Sequence, residues 1–428
     1  MTVSIPKPEQ SVANRLARFS RSHHARDLWP DISESQFRSA ERELARVAGD
    51  VLGGATSGVS LACPSGTTPR SLSVAAAIAG VGALIGYWCE TGVVSAERDV
   101  HGLLADQLEQ GRKRAERMRG YLDRLLIALA DQGIEPIILK GTHTRYAYFP
   151  DPGTRITSDI DLLFRQDDWN GAHDVLRSLG FFEQRDSGDP EQRYWTLPDA
   201  REIRALDFVH AENAWSVDTH RSLERTPFTG LSTSLGTPDF ATAPVWNEFS
   251  RPVRVLPQPL LLAYLAVHAS SHFYTISQIR LIELVLVAQH DYQGRPDRWV
   301  ALDRLLASTR TGRFAFPALA LAERLVPGTI DSQVLAHAGD SAPRRLRRLV
   351  RDTSPASAQR LHPLPGVRER FVWIASPREA FAALSWLAWP RQDGTWVSPH
   401  YAVRRQFRRI TRSLSRFIRG RLPTKPAG

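Results

Sequence analysis

The pattern of hydrophobic and polar positions changes its period twice along the chain. Apolar residues recur at helical spacing in residues 34–52 and again in 95–132, where Gly133 ends the run. Between 134 and 225 the apolar stretches are short and are bounded by Pro, Gly and Asp, which is typical of strands and turns. From 257 onwards the spacing is again mostly helical. The pattern therefore predicts an α+β protein with a small α/β core between two helical regions.

The boundaries of these regions follow from the same pattern. We predict an N-terminal helical region at 1–115, an α/β core at 116–225, a C-terminal helical region at 226–400 and a basic tail at 401–428. The predicted core elements are a strand at 134–140, a short helix at 141–149, a turn-rich connection at 150–157, a strand at 158–164, a helix at 165–181 and two strands at 201–211 and 214–223 that form a hairpin. Gly180 is expected to end the core helix.

The strand SDIDLLF places two carboxylates on one face. Successive side chains of a strand point to opposite faces, so Asp159 and Asp161 share a face while Ile160 and Leu162 take the other. Two carboxylates side by side either hold a cation or repel each other. The alternative is a solvated strand face without a ligand. The sequence favours the cation site, because a solvated face would suit a weaker pair such as one Asp and one Ser.

A third carboxylate strengthens this interpretation. In SVDTH, Asp218 and His220 lie on the same face of their strand. If that strand lies beside SDIDLLF, three aspartates converge, and such a set suits two divalent cations that clamp the attacking and leaving oxygens of a phosphoryl transfer. We predict Mg²⁺ or Mn²⁺ at Asp159, Asp161 and Asp218, with substrate phosphates completing the shell. Asp207, in ALDFV, is the reserve third carboxylate.

A phosphate-binding turn is predicted close to the aspartates. The order strand, Lys140-Gly141, helix puts backbone N–H groups at a helix N-terminus, where Gly141 allows close approach and Lys140 adds a positive charge. The chain has only four lysines, which makes a general solubility role for Lys140 less fitting. Arg155 is a second candidate for phosphate. Its alternative role is a structural ion pair with Asp151 or Asp159.

Four histidines near these motifs have more than one interpretation. His220 helps to orient Asp218, contacts a phosphate, or makes a hydrogen bond that supports a residue of the site, and His143 points either to the site, where it would also have a supporting role, or to solvent. His268 and His272 lie four residues apart on one helical face, which is compatible with zinc. No third ligand and no HExxH motif accompanies them. We therefore expect core histidines, or contacts to the nucleotide or the acceptor.

The run LKGTHTRYAYFPDPGTRITSDIDLLF, followed by SLGF and VDTH, resembles the uncharacterised nucleotidyltransferase family of the DNA polymerase β-like superfamily. The helical stretch LLLAYLAVHASSHFYTISQIRLIELVL is also similar to that family, and the resemblance covers Leu125 to Asp291. Two features differ from the wider superfamily. Lys-Gly replaces Gly-Ser or Gly-Gly at the first turn, and the interval from Gly141 to Asp159 is long. Glu283 lies near the position at which an acidic residue is expected.

The resemblance implies a mixed-sheet nucleotidyltransferase core flanked by helices. It further implies that Mg²⁺ binds at the three aspartates and that the enzyme moves an NMP group from an NTP to a hydroxyl, releasing pyrophosphate. The nucleotide-binding residues are then expected to be Lys140, Gly141, Arg155 and Ser158. The acceptor stays open between a small molecule, a peptide and a protein. Two alternatives are a catalytically silent nucleotide- or partner-binding protein and an RNA-directed transferase.

The positive charge of the chain is concentrated at its C-terminus. The formal net charge is +10, and residues 401–428 hold eight arginines and Lys425 without an acidic residue. Phe407, Ile410, Leu414, Phe417 and Ile418 recur there at helical spacing between the arginines. This predicts a basic amphipathic helix that lies on RNA, on an anionic membrane surface or against the protein body. Packing against the body is the first expectation, because an apolar stripe usually joins a core.

The cysteines, the first residues and the most apolar stretch of the chain indicate in which cellular compartment the protein is expected. Cys63 and Cys89 form no disulfide framework and have no metal-ligand spacing, which fits a reducing compartment. The first residues lack the apolar run of a signal peptide. The stretch 71–88 is rich in Ala and Gly, so we predict a buried helix pair and regard a membrane span as the weaker interpretation. We expect a cytoplasmic protein without a membrane span.

Overall fold

A computed structural model of the chain gives the arrangement of its helices and strands. It describes residues 8–22, 27–184, 191–197, 203–228, 231–271, 273, 276–357, 371–388, 391–392 and 395–396. The predicted basic tail at 401–428 and His272 lie outside the described residues.

The described residues are mostly helical, as the spacing of apolar residues predicts. The helices are α1 (Pro8–Ser22), α2 (Glu34–Leu52), α3 (Pro69–Ala79), α4 (Gly82–Glu90), α5 (Arg98–Ala130), α6 (Lys140–Ala147), α7 (Trp169–Ser178), α8 (Leu260–Ser271), α9 (Gln278–Tyr292), α10 (Pro296–Ser308), α11 (Gly312–Leu325), α12 (Ser332–Asp340), α13 (Arg344–Arg351) and α14 (Pro377–Ala388). Single 3₁₀ turns lie at Pro152–Thr154, Pro355–Ser357 and Phe371–Trp373.

One mixed sheet of seven strands organises the middle of the chain, in the order β10-β11-β3-β4-β7-β6-β5. Its strands are β3 (Ile137–Ile138), β4 (Asp159–Leu163), β5 (Phe182–Glu183), β6 (Gln192–Thr196), β7 (Ser216–His220), β10 (Val245–Trp246) and β11 (Val253–Val255). The pairs β1 (Val59–Leu61) with β2 (Val94–Ala96), β8 (Arg225–Phe228) with β9 (Leu231–Thr233), and β12 (Arg391–Gln392) with β13 (Thr395–Trp396) form small separate sheets. The mixed sheet flanked by helices confirms the predicted α+β class.

The pairing of β4 with β7 brings the aspartates together. The two strands run parallel, and Asp161 lies directly opposite Asp218. The other face of β4 is apolar, since Ile160 and Leu162 are buried in a core formed with α5 and α7. Strand alternation thus separates an acidic face from an apolar one, as the sequence predicts.

Close contact with α5 fixes the turn before β4. A Cβ at Gly111 of α5 would lie 2.2 Å from the carbonyl oxygen of Gly153, and a Cβ at Gly153 would lie 2.6 Å from the backbone nitrogen of Arg112. Both glycines therefore permit a backbone-to-backbone approach that no larger residue allows. Asp151 accepts a hydrogen bond from the Gly153 N–H at 2.7 Å and holds the turn in shape.

The N-terminal and C-terminal helices share one core. Buried apolar residues from Trp29 to Trp373 form a single contact cluster that also reaches one face of the sheet. The boundary predicted at 115–116 falls inside α5, and the sheet takes in β10 and β11 from the stretch predicted as C-terminal. The division into an N-terminal region, a core and a C-terminal region stays a prediction.

The apolar stretch at 71–88 forms the buried helix pair that its composition predicts. Helices α3 and α4 meet at 115° across a short break. Leu72, Val74, Leu84 and Ile85 are almost completely buried within the core. Among the described residues no single helix is long and apolar enough to cross a membrane, and this bent pair reaches the required length only when its two helices are taken together.

The predicted hairpin is wrong in its first strand. Residues 203–211 form an irregular segment, and the strand that pairs antiparallel with β7 is β6, which lies earlier in the chain. Asp207 in this segment accepts hydrogen bonds from Trp29 Nε1 and Arg70 Nε, each at 3.0 Å. It ties the segment to the N-terminal helices and is no reserve member of the acidic group.

Candidate functional site

Three carboxylates converge where β4 and β7 lie side by side. One oxygen each of Asp159, Asp161 and Asp218 lies within 4.8 Å of the other two. Asp161 and Asp218 are buried, and Asp159 is partly exposed at a cleft. The predicted triad is therefore assembled on one sheet face.

Asp161 is the carboxylate of the three whose negative charge is most strongly stabilised by neighbouring side chains. Lys140 Nζ donates a hydrogen bond to its Oδ1, and His220 Nε2 lies 2.9 Å from the same oxygen. An ionised carboxylate only accepts hydrogen bonds, so His220 holds its proton on Nε2. His220 thus makes a supporting hydrogen bond, one of the roles that the sequence left open, and its partner is Asp161 where the sequence interpretation named Asp218.

The other two carboxylates have different surroundings. Ser216 Oγ donates to Asp218 Oδ1 at 2.7 Å, and Gln192 Nε2 donates to Oδ2 at 3.1 Å. Within the described residues, the Asp159 carboxylate accepts no side-chain hydrogen bond. Asp218 is therefore held in a fixed rotamer, while Asp159 keeps its oxygens available to a ligand in the cleft.

The pKa values of the three carboxyl groups differ, because the groups lie close together but have different neighbours. Burial, reinforced by the charge of Asp161, raises the pKa of Asp159. Burial also opposes ionisation of Asp161, but Lys140 and His220 outweigh it and hold the pKa of that carboxyl well below its usual range. Burial and the two neighbouring aspartates raise the pKa of Asp218 to about 8. Ionising all three carboxyls near neutral pH therefore needs further positive charge.

The Lys-Gly turn has a strained backbone conformation at the start of a helix. Helix α6 begins at Lys140 directly after β3, and Lys140 has a φ of 48°, in the left-handed region that non-glycine residues rarely adopt. Such backbone strain concentrates at functional sites. A Cβ at Gly141 would lie 2.6 Å from Thr157 Cγ2 and 3.5 Å from an Arg155 guanidinium nitrogen. Glycine is therefore required where the turn meets the loop before β4.

Arg155 forms a buried ion pair that the sequence interpretation did not name. Its guanidinium donates to Glu283 of α9 at 3.0 Å and 3.4 Å, and Thr144 Oγ1 donates to the same carboxylate. The partner is thus Glu283, and Asp151 pairs instead with Arg112 at 2.7 Å. Glu283 fixes Arg155 beside Gly141 by joining α6, α9 and the loop before β4.

Glu283→Gln is expected to lower the free energy of unfolding by about 3–5 kcal/mol, because it leaves the Arg155 guanidinium buried without its counter-charge. The measurement is urea unfolding followed by tryptophan fluorescence. Glu135→Gln is the matched control, since its pair with Arg254 is solvent-exposed on the Glu135 side. Equal stability of the two variants would contradict the structural role of the pair.

Arg114 of α5 is a positioning residue that the sequence interpretation missed. Its guanidinium is buried and donates to the carbonyl oxygens of Thr157, Asn213 and Ala214 at 2.9, 2.6 and 3.1 Å. These residues come directly before β4 and β7, so Arg114 clamps the starts of both acidic strands. The sequence did contain a signal for this role, because Arg114 is a charged residue on the apolar stripe of α5, between Gly111 and Met118.

The triad and the Lys-Gly turn open into one cleft of about 500 Å³. Its polar lining residues include Lys140, Gly141, Arg155, Ser158, Asp159, Asp161, Arg280 and Glu283. Its apolar lining residues include Ala77, Ile78, Ile203, Val209 and Ile279. His268 also lines the cleft, with its ring stacked against Tyr264. The lining of the cleft therefore combines charged groups with apolar groups.

His143 takes neither of its predicted orientations. It is buried and packs edge-on against Tyr148 and Trp246, with ring centroids 5.8 and 4.9 Å apart. Burial lowers the pKa of His143 to about 4, so it is neutral. It belongs to the packing behind α6, and a supporting role of His143 at the site stays a prediction.

The donor set fits a hard divalent cation. Its three ligating groups are carboxylates, which are preferred by Mg²⁺ and Mn²⁺. The crowding that raises the pKa of Asp159 and Asp218 would be relieved by a bound cation. The residues present therefore fit a hard divalent cation.

Comparison with known proteins gives one match. The model of a family described as uncharacterised nucleotidyltransferase matches residues 75–327, which is more than half of the chain. No curated protein and no solved structure matches. The matched range contains the triad, the Lys-Gly turn and the cleft-lining residues of α9. The chain belongs to the uncharacterised nucleotidyltransferase family.

Proposed function

We propose that the protein is a Mg²⁺-dependent enzyme that transfers an NMP group from an NTP to a hydroxyl of an acceptor and releases pyrophosphate. The observation that carries this proposal is the convergence of three carboxylates within 4.8 Å beside the Lys-Gly turn. One group binds a cation, the other binds phosphate, and both face the same cleft. Family membership supports the same class of reaction.

Different residues of the site would bind the metal and the phosphates. Asp159, Asp161 and Asp218 would hold the metal, which supplies Lewis-acid stabilisation of the phosphate charge when it is bound. Lys140 and the backbone N–H groups at the start of α6 bind the β- and γ-phosphates. Arg155, held by Glu283, adds positive charge beside Gly141.

The transfer step balances without a further reactant. The acceptor hydroxyl oxygen attacks the α-phosphorus and forms the new P–O bond, while the bond to the β-phosphate oxygen breaks and pyrophosphate leaves. Asp218 favours deprotonation of the acceptor hydroxyl, and the proton passes to solvent. Most of the acceleration comes from positioning and from neutralising charge.

Metal affinity is expected to rise with pH. The pKa of Asp218 is raised to about 8, so below pH 8 the carboxyl holds a proton that a cation must displace. Mg²⁺ affinity should therefore rise by about tenfold per pH unit below pH 8 and level off above it. Calorimetry at a series of pH values measures this, with Asp218→Asn as the control. A flat profile for the unchanged protein would contradict the assignment of Asp218.

The position of the transferred label tests the reaction class. The protein is incubated with NTP labelled on the α-phosphate or on the γ-phosphate, together with pooled small molecules, peptides and proteins. Nucleotidyl transfer moves the α-label to an acceptor and leaves the γ-label in pyrophosphate. Movement of the γ-label to the acceptor would show a kinase and would overturn the proposal.

A further inference from the structure

Gln107 of α5 is a buried amide that lines the cleft in a fixed orientation. The residue is 2% exposed, and its Nε2 donates to the carbonyl oxygen and to Oγ of Ser73, each at 2.9 Å. A backbone carbonyl only accepts hydrogen bonds, so the amide nitrogen faces Ser73 and the amide oxygen points elsewhere. No group among the described residues donates to this Oε1. Since buried acceptors normally have a donor, Oε1 is available to a ligand in the cleft.

Two glycines at the bend between α3 and α4 make room for this amide. Gly80 and Gly82 also line the cleft. A Cβ at Gly82 would lie 1.8 Å from Gln107 Oε1, and a Cβ at Gly80 would lie 2.7 Å from Cγ2 of Ile279 in α9. A side chain at either position would displace its neighbour. Gly80, Gly82, Gln107 and Ile279 therefore form one part of the cleft lining, which we call the amide subsite.

Helix α9 connects the amide subsite to the Lys-Gly turn. Ile279 and Glu283 both line the cleft and lie one turn apart on the same face of α9, about 6 Å along the helix axis. Glu283 pairs with Arg155, which lies beside Gly141. A nucleotide whose phosphates lie at the Lys-Gly turn would therefore extend along α9 and bring its base to the amide subsite.

We propose that Gln107 accepts a hydrogen bond from the nucleobase, and that the protein prefers an NTP whose base carries an exocyclic amino group. This inference rests on the proposed nucleotidyl transfer. The amino group of ATP or CTP donates to Oε1, whereas GTP and UTP carry a carbonyl oxygen at the equivalent ring position and would place two acceptors together. Ala77 and Ile78, which come just before the bend, also line the cleft and offer apolar contacts to the base.

Calorimetric titration with nucleotides that have or lack the amino group tests the proposal. The probes, each with Mg²⁺, are ATP, CTP, GTP, UTP and the triphosphates of purine riboside and 2-pyrimidinone riboside, which correspond to adenosine and cytidine without the amino group. ATP or CTP should bind about tenfold or more tightly than its analogue without the amino group, and than GTP and UTP. Gln107→Leu should bind the amino nucleotide and that analogue equally, because leucine offers no acceptor.

Two further variants separate recognition of the base from a structural role of Gln107. Gly82→Ala should lose the same discrimination, because its Cβ displaces Oε1 while the glutamine stays in place. Gln289→Leu is the matched control, since it also removes an Nε2 hydrogen bond to a backbone carbonyl, that of Leu52 at 2.8 Å, and Gln289 is outside the cleft lining. This control should discriminate like the unchanged protein. A structural role of Gln107 would lower the affinity for every nucleotide by the same factor.

The possible outcomes distinguish this inference from the proposed function. Equal binding of nucleotides with and without the amino group by the unchanged protein overturns the inference and leaves the Mg²⁺-dependent nucleotide site intact. Unchanged discrimination in Gln107→Leu and Gly82→Ala also overturns it. If no NTP binds in a Mg²⁺-dependent manner, the proposed function is overturned together with the inference.

Discussion

Replacement of Asp161 by asparagine is expected to lower nucleotidyl transfer about a thousandfold or more while the fold is kept. Asp161 carries the ionised carboxylate of the triad, and it is the residue that Lys140 and His220 both contact. Asparagine keeps the size and some hydrogen bonds but not the charge, so the proposed metal site would lose its most strongly ionised carboxylate. A loss of several kcal/mol of transition-state stabilisation corresponds to that factor.

The measurement is the rate of pyrophosphate release, with circular dichroism as the check on folding. Asp174→Asn on α7 is the matched control, because its carboxylate is exposed and, among the described residues, pairs only with Arg177 of the same helix. This control should keep the full rate. Full activity of Asp161→Asn would contradict the proposed mechanism.

Lys140→Met is expected to separate nucleotide binding from metal binding. The variant removes the positive charge at the Lys-Gly turn, so NTP affinity and turnover should each fall about a hundredfold. The same change removes a cation from the carboxylates, so Mg²⁺ alone should bind at least as tightly as before. A structural role of Lys140 would instead weaken both ligands together.

Calorimetric titrations with Mg²⁺ alone and with NTP plus Mg²⁺ distinguish these results. Lys113→Met is the matched control, because Lys113 is exposed on α5 and, within the part of the chain that the structure describes, pairs only with Glu109 one turn away. Lys113→Met should bind both ligands normally. Equal loss of NTP and Mg²⁺ affinity in Lys140→Met would contradict the assignment of Lys140 to phosphate.

The parts of the site that depend on local periodicity could be predicted from the sequence. Alternation along β4 and β7 places Asp159, Asp161 and Asp218 on one face, and parallel pairing of the two strands then brings them together. The Lys-Gly turn was predictable for the same reason, because a strand followed by glycine and a helix is a local signal. These features need no knowledge of distant contacts.

The predicted hairpin of residues 201–211 with 214–223 was wrong, because the pairing of strands depends on contacts between residues that are distant in the sequence. The stretch 201–211 has the β-favouring residues of a strand, yet 192–196 takes the place beside β7. Trp195 is completely buried there, and Gln192 contributes a hydrogen bond to Asp218. The choice between two short β-like stretches is decided by which one buries more apolar surface and completes the polar site.

The partners of the buried polar side chains could also not be predicted from local sequence patterns. Glu283 lies on a helix more than a hundred residues from Arg155, and the residue types alone do not reveal that the two meet. A buried charge must find a partner, so a charged residue on an apolar stripe signals that a partner exists without naming it. Arg114 on α5 is the clearest case, because its partners are backbone carbonyls.

Calorimetric titration with each NTP, in the presence and absence of Mg²⁺, tests the central claim most directly. The comparison is between the unchanged protein and Asp159→Asn/Asp161→Asn. The proposed site predicts that at least one NTP binds in a Mg²⁺-dependent manner and that the double variant loses this binding. Failure of every NTP to bind, or equal binding by the double variant, would contradict a nucleotide site at these aspartates.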